Sequence, residues 1–232
     1  MIIGGIEKCS LIDYPGRISQ VVFLSGCNFS CPYCHNPSLV NHNRLFSAEL
    51  SEQEIISYLE RRLRHIDGVV ISGGEPTIHS DLPSLCEKIH RIGYPIKLDT
   101  NGSMPKVLVQ LINEGLIDYI AMDIKTDPHT YSPVVGREYG PEHILSSIRI
   151  IMESSMPHEF RTTCVKPFVD EPVVEKIARL IHGAMLYVLQ QFRPDRILQP
   201  QFFRDMDPAH TEAELIHLRS IAEPWVEKCI IR

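Results

Sequence analysis

Along these 232 residues, six apolar segments of strand length alternate with segments of helical period, and that alternation constrains the fold more than any single motif. The strand candidates are "QVVFLSG" (20–26), "GVVISGG" (68–74), "PIKLDTNG" (95–102), "DYIAMDIK" (118–125), "EFRTTCVKP" (159–167) and "MLYVLQQFRP" (185–194). Between them, residues 51–65 open on a capping box, Ser51 to Glu54, and turn Ile55, Ile56, Leu59 and Leu63 inward. Residues 105–114 start on Pro105 and stop at Gly115, while 172–182 carry Val173, Val174, Ile177, Leu180 and Ile181 and stop at Gly183. Thr211 and Glu214 form a second capping box ahead of Leu215, Leu218 and Ile221, and shorter helices are expected at 81–92 and 141–154. Strands alternating with helices pair in parallel through right-handed crossovers. Six such units are too few for a closed eight-stranded barrel, so the expected fold is α/β, a partial (β/α)6 barrel open at the side. The first 19 residues should add a strand or hairpin, and "VEKCIIR" a closing strand. Without repeats or a linker, residues 1–232 are expected to form one domain.

Composition narrows the function. The formal net charge of −6 opposes a protein devoted to non-specific nucleic-acid binding, and the basic knot "RRLRH" (61–65) reads as a solvated helix face. The start lacks the basic and apolar regions of a signal peptide, and no apolar run approaches a membrane span, so a cytoplasmic protein is expected. Seven cysteines, an odd number, are not spaced as a disulfide scaffold. Cys86 falls with Leu82, Leu85 and Ile89 at helical spacing and reads as a core thiol. Cys9, Cys164 and Cys229 stand singly, without an assigned role.

Cys27, Cys31 and Cys34 cluster in "GCNFSCPYCHNP" (26–37), a C-x3-C-x2-C run. Soft thiolates in such a run select zinc or an iron–sulfur cluster. Zinc needs a fourth ligand. His35 follows Cys34 too directly to serve easily, and Cys9 would have to fold back. A [4Fe–4S] cluster on three cysteines instead leaves one iron open to an outside ligand.

The other strand ends are also chemically loaded: "GGEP", "DTNG", "DIK", "RTTCVK" and "QQFRP". In parallel α/β folds these carboxyl ends share one face, where sites are built. "GGEP" (73–76) alone could be a tight loop, Asp99 alone an Asx-turn, Lys125 alone a surface charge.

Together with the cysteine run, however, "GGEP" resembles the radical S-adenosylmethionine (SAM) superfamily, across essentially the whole chain. The resemblance implies that Cys27, Cys31 and Cys34 hold a [4Fe–4S] cluster whose open iron takes the amino and carboxylate groups of SAM. It places Tyr33 over the cluster or the adenine, and Gly73, Gly74 and Glu75 at the SAM amino group. "LDTNG" (98–102) and "MDIK" (122–125), with "CPYCHNP", look like the glycyl-radical-enzyme activases, the branch that includes the pyruvate formate-lyase activator. That implies Asp99, Asp123 and Lys125 in the SAM pocket, with a monovalent cation shared by Asp99 and Asp123 and with Lys125 on the SAM carboxylate. His35 and Asn36 match the branch's "CHN". "SLIDYPG" (10–16) and "LQQFRP" (189–194) are similar to activators of anaerobic ribonucleoside-triphosphate reductase, and no ferredoxin-like cysteine-rich insert follows the cluster loop.

The implied chemistry begins with a flavodoxin or ferredoxin reducing the cluster. SAM is then cleaved to methionine and a 5′-deoxyadenosyl radical, which takes a Cα hydrogen from one glycine of the partner enzyme. No side chain is expected to act as acid or base. A radical SAM enzyme acting on a small molecule, a nucleoside precursor or another peptide would carry the same motifs. A zinc-stabilised interaction module is the rival outside enzymology. Tyr131, Arg137 and the segment "DPHTYSPVVGREYG" (127–140) suit either SAM or a partner.

Overall fold

Strands covered on both sides read as continuous apolar runs. β2 (Ser19–Leu24) and β3 (Gly68–Gly73) do so: Val21, Val22, Leu24, Val69, Val70 and Ile71 are all buried. The computed structural model describes residues 1–40 and 50–232. The remaining strands are β1 (Ile3–Ser10), β4 (Ile96–Thr100), β5 (Tyr119–Asp123), β6 (His158–Cys164), β7 (Tyr187–Gln191) and β8 (Cys229–Ile231). All eight follow one another in chain order across one open sheet, β1 to β8. β1 runs antiparallel to β2, from Ile3 opposite Leu24 to Ser10 opposite Ser19, giving the expected N-terminal hairpin. β2, β3 and β4 are parallel, as are β6, β7 and β8, which makes "VEKCIIR" the final strand as expected.

The helices are α1 (Pro37–Val40), α2 (Glu52–Arg62), α3 (Leu82–Ile92), α4 (Pro105–Asn113), α5 (Ser132–Val135), α6 (Glu142–Glu153), α7 (Glu171–Leu180) and α8 (Glu212–Ala222). Both capping boxes form, Ser51 with Glu54 and Thr211 with Glu214. Cys86 is buried on α3 with Leu82, Leu85 and Ile89. Leu63, expected inward, is instead 49% exposed, because α2 ends at Arg62, before it. The helical period no longer dictates direction there.

By contact density the chain falls into two compact units. The first takes residues 1–28, 38–100 and 106–120; the second takes 29–37, 101–105 and 121–232.

In the first unit, Gln20 lies fully buried on β2, and among the described residues neither its Nε2 nor its Oε1 has a hydrogen-bond partner. A buried amide left unsatisfied costs about 1–3 kcal/mol. Gln20→Leu keeps the volume and removes both polar atoms. It should therefore raise unfolding stability by about 1–3 kcal/mol, read as a higher urea midpoint at unchanged slope. A lower midpoint would mean that the amide has a partner after all.

Candidate functional site

In the first unit the end of β3 is stitched to the start of the cysteine loop. Leu24 and Gly73 are register partners. The Gly74 N–H donates to the Leu24 carbonyl at 2.9 Å, and the Glu75 N–H to the Gly26 carbonyl at 2.8 Å. This approach is why the run is Gly-Gly. A Cβ on Gly73, which has φ +128°, would collide with the Leu24 backbone, and a Cβ on Gly74 would collide with the Gly26 carbonyl.

Glu75 is buried and caps the short 3-10 turn Pro76–Ile78. Its Oε1 accepts from the Thr77 N–H at 3.1 Å, from the Thr77 hydroxyl, and from the Thr100 hydroxyl at 2.8 Å. The "GGEP" carboxylate is thereby tied to the end of β4. Thr77 and Thr100, which fix its orientation, were not singled out from the sequence.

Alternation along β4 puts Lys97 and Asp99 on one side, and Lys97 Nζ meets Asp99 Oδ1 at 2.5 Å. The lysine side chain is only 1% exposed, and this carboxylate compensates its burial. The positive charge that a monovalent cation would bring to Asp99 is already supplied by Lys97.

In the second unit the rest of the cysteine loop is clamped from two directions. Cys31 and Cys34 flank a turn closed by the Cys34 N–H on the Cys31 carbonyl, 3.0 Å. The Leu198 and Gln199 N–H groups donate to the carbonyls of Cys34 and Pro32, both at 3.0 Å. The His35 ring binds the Arg193 carbonyl through Nε2 at 2.8 Å and lies 5.6 Å from the Phe192 ring. Opposite, the Ser30 N–H donates to the Val135 carbonyl at 2.9 Å. Residues 189–194 and 127–140, distant in sequence, thus both support this loop.

Tyr33 packs against Phe168 and Phe192, with centroids 5.9 and 6.4 Å away. It is buried, and among the described residues its hydroxyl has no hydrogen-bond partner. Such a group calls for an explanation, and a ligand atom is one.

A line of alternating charge crosses this unit. Lys125 Nζ lies 2.8 Å from Asp123 Oδ2, and Arg161 Nε lies 2.7 Å from Asp123 Oδ1. Arg161 also faces Glu159 at 3.8 Å, and Glu159 meets Arg232 at 3.2 Å. Burial would raise the Asp123 pKa, but Arg161 and Lys125 outweigh it and hold the carboxyl well below the usual range. Burial likewise opposes the Lys125 ammonium, and Asp123 holds it well above the ordinary lysine value. Lys125 and Arg161 both bring positive charge to Asp123, the charge type that suits an anionic ligand group. Asp123, like Asp99, has its charge balanced by the chain itself. The Tyr131 hydroxyl accepts from the Lys125 N–H at 2.8 Å, so Tyr131 serves the backbone here.

None of the seven cysteines is disulfide-bonded. Burial pushes the Cys34 thiol up. Among the described residues, no group of three His, Cys, Asp or Glu side chains is gathered to hold a metal ion. No helix among the described residues is long and apolar enough to cross a membrane.

Residues 21–180 match the sequence model of the radical SAM superfamily. The chain belongs to the radical SAM superfamily. A Methanocaldococcus jannaschii protein provisionally named glycyl-radical enzyme activating enzyme MJ1227 is 37% identical over 237 residues, covering 100% of this chain and 95% of its own. The pyruvate formate-lyase-activating enzyme of Clostridium pasteurianum is 33% identical over 144 residues, 58% of this chain and 57% of its own. In fold, the chain is similar to Streptococcus suis SuiB, with TM-score 0.69 at 13% identity over 91% of this chain. It spans about half of that longer protein, 48%.

Radical SAM membership decides between the two metal chemistries left open above: the cofactors are a [4Fe–4S] cluster and SAM, and the protein is an enzyme. By donor chemistry, three thiols one short of a closed site suit a cluster with an open iron. The Tyr33 hydroxyl, without a hydrogen-bond partner among the described residues, and the paired charges of Lys125 and Asp123 suit a zwitterionic ligand. Arg161, Glu159, Arg232 and Lys97 were missed from the sequence. Their signal was charge inside otherwise apolar strands, at i and i+2 in "EFR" and "KLD".

Proposed function

We propose that this radical SAM enzyme activates a glycyl radical enzyme, and that its partner is anaerobic (class III) ribonucleoside-triphosphate reductase. The observation that carries the activase reading is the end-to-end similarity to a provisionally named activating enzyme, 37% identical over 100% of this chain. The "SLIDYPG" and "LQQFRP" segments carry the choice of reductase. When bound, the cluster and SAM supply reductive cleavage to methionine and a 5′-deoxyadenosyl radical that takes one hydrogen atom from a glycine Cα. Cys27, Cys31 and Cys34 hold the cluster. Gly73, Gly74 and Glu75 receive the SAM amino group; Glu75, with Thr77 and Thr100 fixing one oxygen, is the acceptor. Lys125 neutralises the SAM carboxylate, while Asp123, itself held by Arg161, fixes the Lys125 ammonium in place. Asp99 with its Lys97 partner completes the pocket wall, and Tyr33 turns its hydroxyl to the ligand. Residues 1–232 work as one domain, in the cytoplasm, with flavodoxin or ferredoxin as electron donor.

The test is a reaction with the reductase labelled with α,α-dideuterated glycine, in the presence of SAM and reduced flavodoxin. The expected result is a glycyl-radical spin-resonance signal and deuterium in 5′-deoxyadenosine. SAM cleavage with no deuterium transfer from any protein would instead favour a small-molecule substrate.

A further inference from the structure

A glycine offers a partner no side chain to grip. An enzyme that abstracts its Cα hydrogen must therefore register it through the flanking peptide groups. Resting on the activase reading, we propose that Gln190 holds the main chain of the partner's radical-bearing glycine, in a recess at the carboxyl end of β7.

The recess has a volume of about 310 Å³ and is walled by His35, Gln190, Gln191, Arg193, Asp195 and Arg232. The two neighbouring glutamines differ. Gln191 is used by the fold: its Nε2 donates to the His210 carbonyl at 2.9 Å and to the Phe192 carbonyl at 3.3 Å. Gln190 is half-buried, and among the described residues its side-chain amide makes no hydrogen bond.

Register fixes where Gln190 points. Arg161 pairs with Val188 and Thr163 with Gln190, so Gln190 leaves the sheet on the side that carries Arg161. Val188 in turn pairs with Ile230, which puts Arg232 on that side as well. Arg232 reaches Glu159, Glu159 faces Arg161, and Arg161 holds Asp123. The recess is therefore connected, residue by residue, to the Lys125–Asp123 pair assigned to SAM. His35, which also lines the recess, follows Cys34 directly. A carboxamide carries an acceptor and a donor side by side, the complement of a peptide unit. That unpartnered amide, placed between the cluster loop and the SAM-facing ion pairs, is where a glycine-centred peptide would be set in register.

Gln190→Leu removes the amide at nearly constant volume, and Gln190→Glu keeps the acceptor while losing the donor. With cluster-loaded enzyme and the dideuterated reductase, the leucine variant should lower the deuterated fraction of 5′-deoxyadenosine at least tenfold and raise the KM for the reductase. The glutamate variant should fall between it and the wild type. Iron content identifies a misfolded variant. Photo-crosslinking from Gln190→p-benzoylphenylalanine, which needs no turnover, should join the enzyme to the reductase segment around the glycine. Leucine and glutamate variants within twofold of wild type, or a crosslink only to other segments, would overturn the assignment. Wild-type enzyme that cleaves SAM but moves no deuterium would overturn the activase reading and this one with it.

Discussion

Serine at Cys27, Cys31 or Cys34 should reduce 5′-deoxyadenosine formation to background. Losing a partner that merely orients a metal ligand costs about 10–100-fold, so losing a ligand itself should cost more than about 100-fold. The reason lies in the donor count. The clustered cysteines supply three thiolates, and serine replaces a soft donor with a hard one that iron–sulfur chemistry does not favour. Cys34 makes the comparison sharpest, since its turn is held through backbone groups of Cys31 and Leu198 that serine leaves intact. Cys9→Ser, at an exposed position on β1, should leave SAM cleavage at the wild-type rate. The measurement is iron per chain and product after anaerobic reconstitution. Full cleavage by any of the three variants, or its loss in Cys9→Ser, would remove these cysteines from the role given to them.

Gly74→Ala should be strongly damaging although it adds only a methyl group. The added Cβ has no room against the Gly26 carbonyl, and a backbone carbonyl cannot swing aside as a side chain can. Overpacking against a side chain costs about 1–3 kcal/mol, and this case should sit at or above the upper end. For a chain of this size, each kcal/mol lowers Tm by about 2–4 °C. Any relief must lengthen the bonds from Gly74 to Leu24 and from Glu75 to Gly26, which moves "GGE" away from the cysteine loop. SAM affinity should fall together with Tm. Gly5→Ala is the control. A Cβ there meets nothing within 4 Å, so the change should stay within about 0.5 kcal/mol. Gly74→Ala with wild-type Tm and SAM affinity would mean that these two backbones are not held together.

Periodicity located all six expected strands, but each observed strand ends before its apolar segment does. "GVVISGG" stops at Gly73, "PIKLDTNG" at Thr100 and "MLYVLQQFRP" at Gln191. The polar tails are the loops that carry the site, and hydrophobic pattern says nothing about where hydrogen bonding stops. The short helices α1 and α5 escaped notice because four residues are too few to show a period. The cysteine run and "GGE" could be proposed for the site from the sequence, by their spacing and their resemblance to the superfamily. Their supports could not: His35 with the Arg193 carbonyl, or Ser30 with the Val135 carbonyl, are contacts between backbone and distant residues that no local pattern encodes. Arg161 was hidden for a different reason. A charge in a strand reads as solvent-facing until the facing carboxylate, Asp123 on another strand, is known.

The late clamp on the cysteine loop sets an order of events at the ribosome. His35 is anchored by a residue that lies 158 positions downstream. At about 5–20 residues per second, that residue is made roughly 8–30 seconds after His35. Throughout that interval the thiols proposed to carry iron have emerged without the backbone that holds their loop. On that proposal metal loading should follow synthesis of Arg193, and truncation beyond Gln191 should yield a polypeptide that retains every cysteine of the run yet does not keep iron.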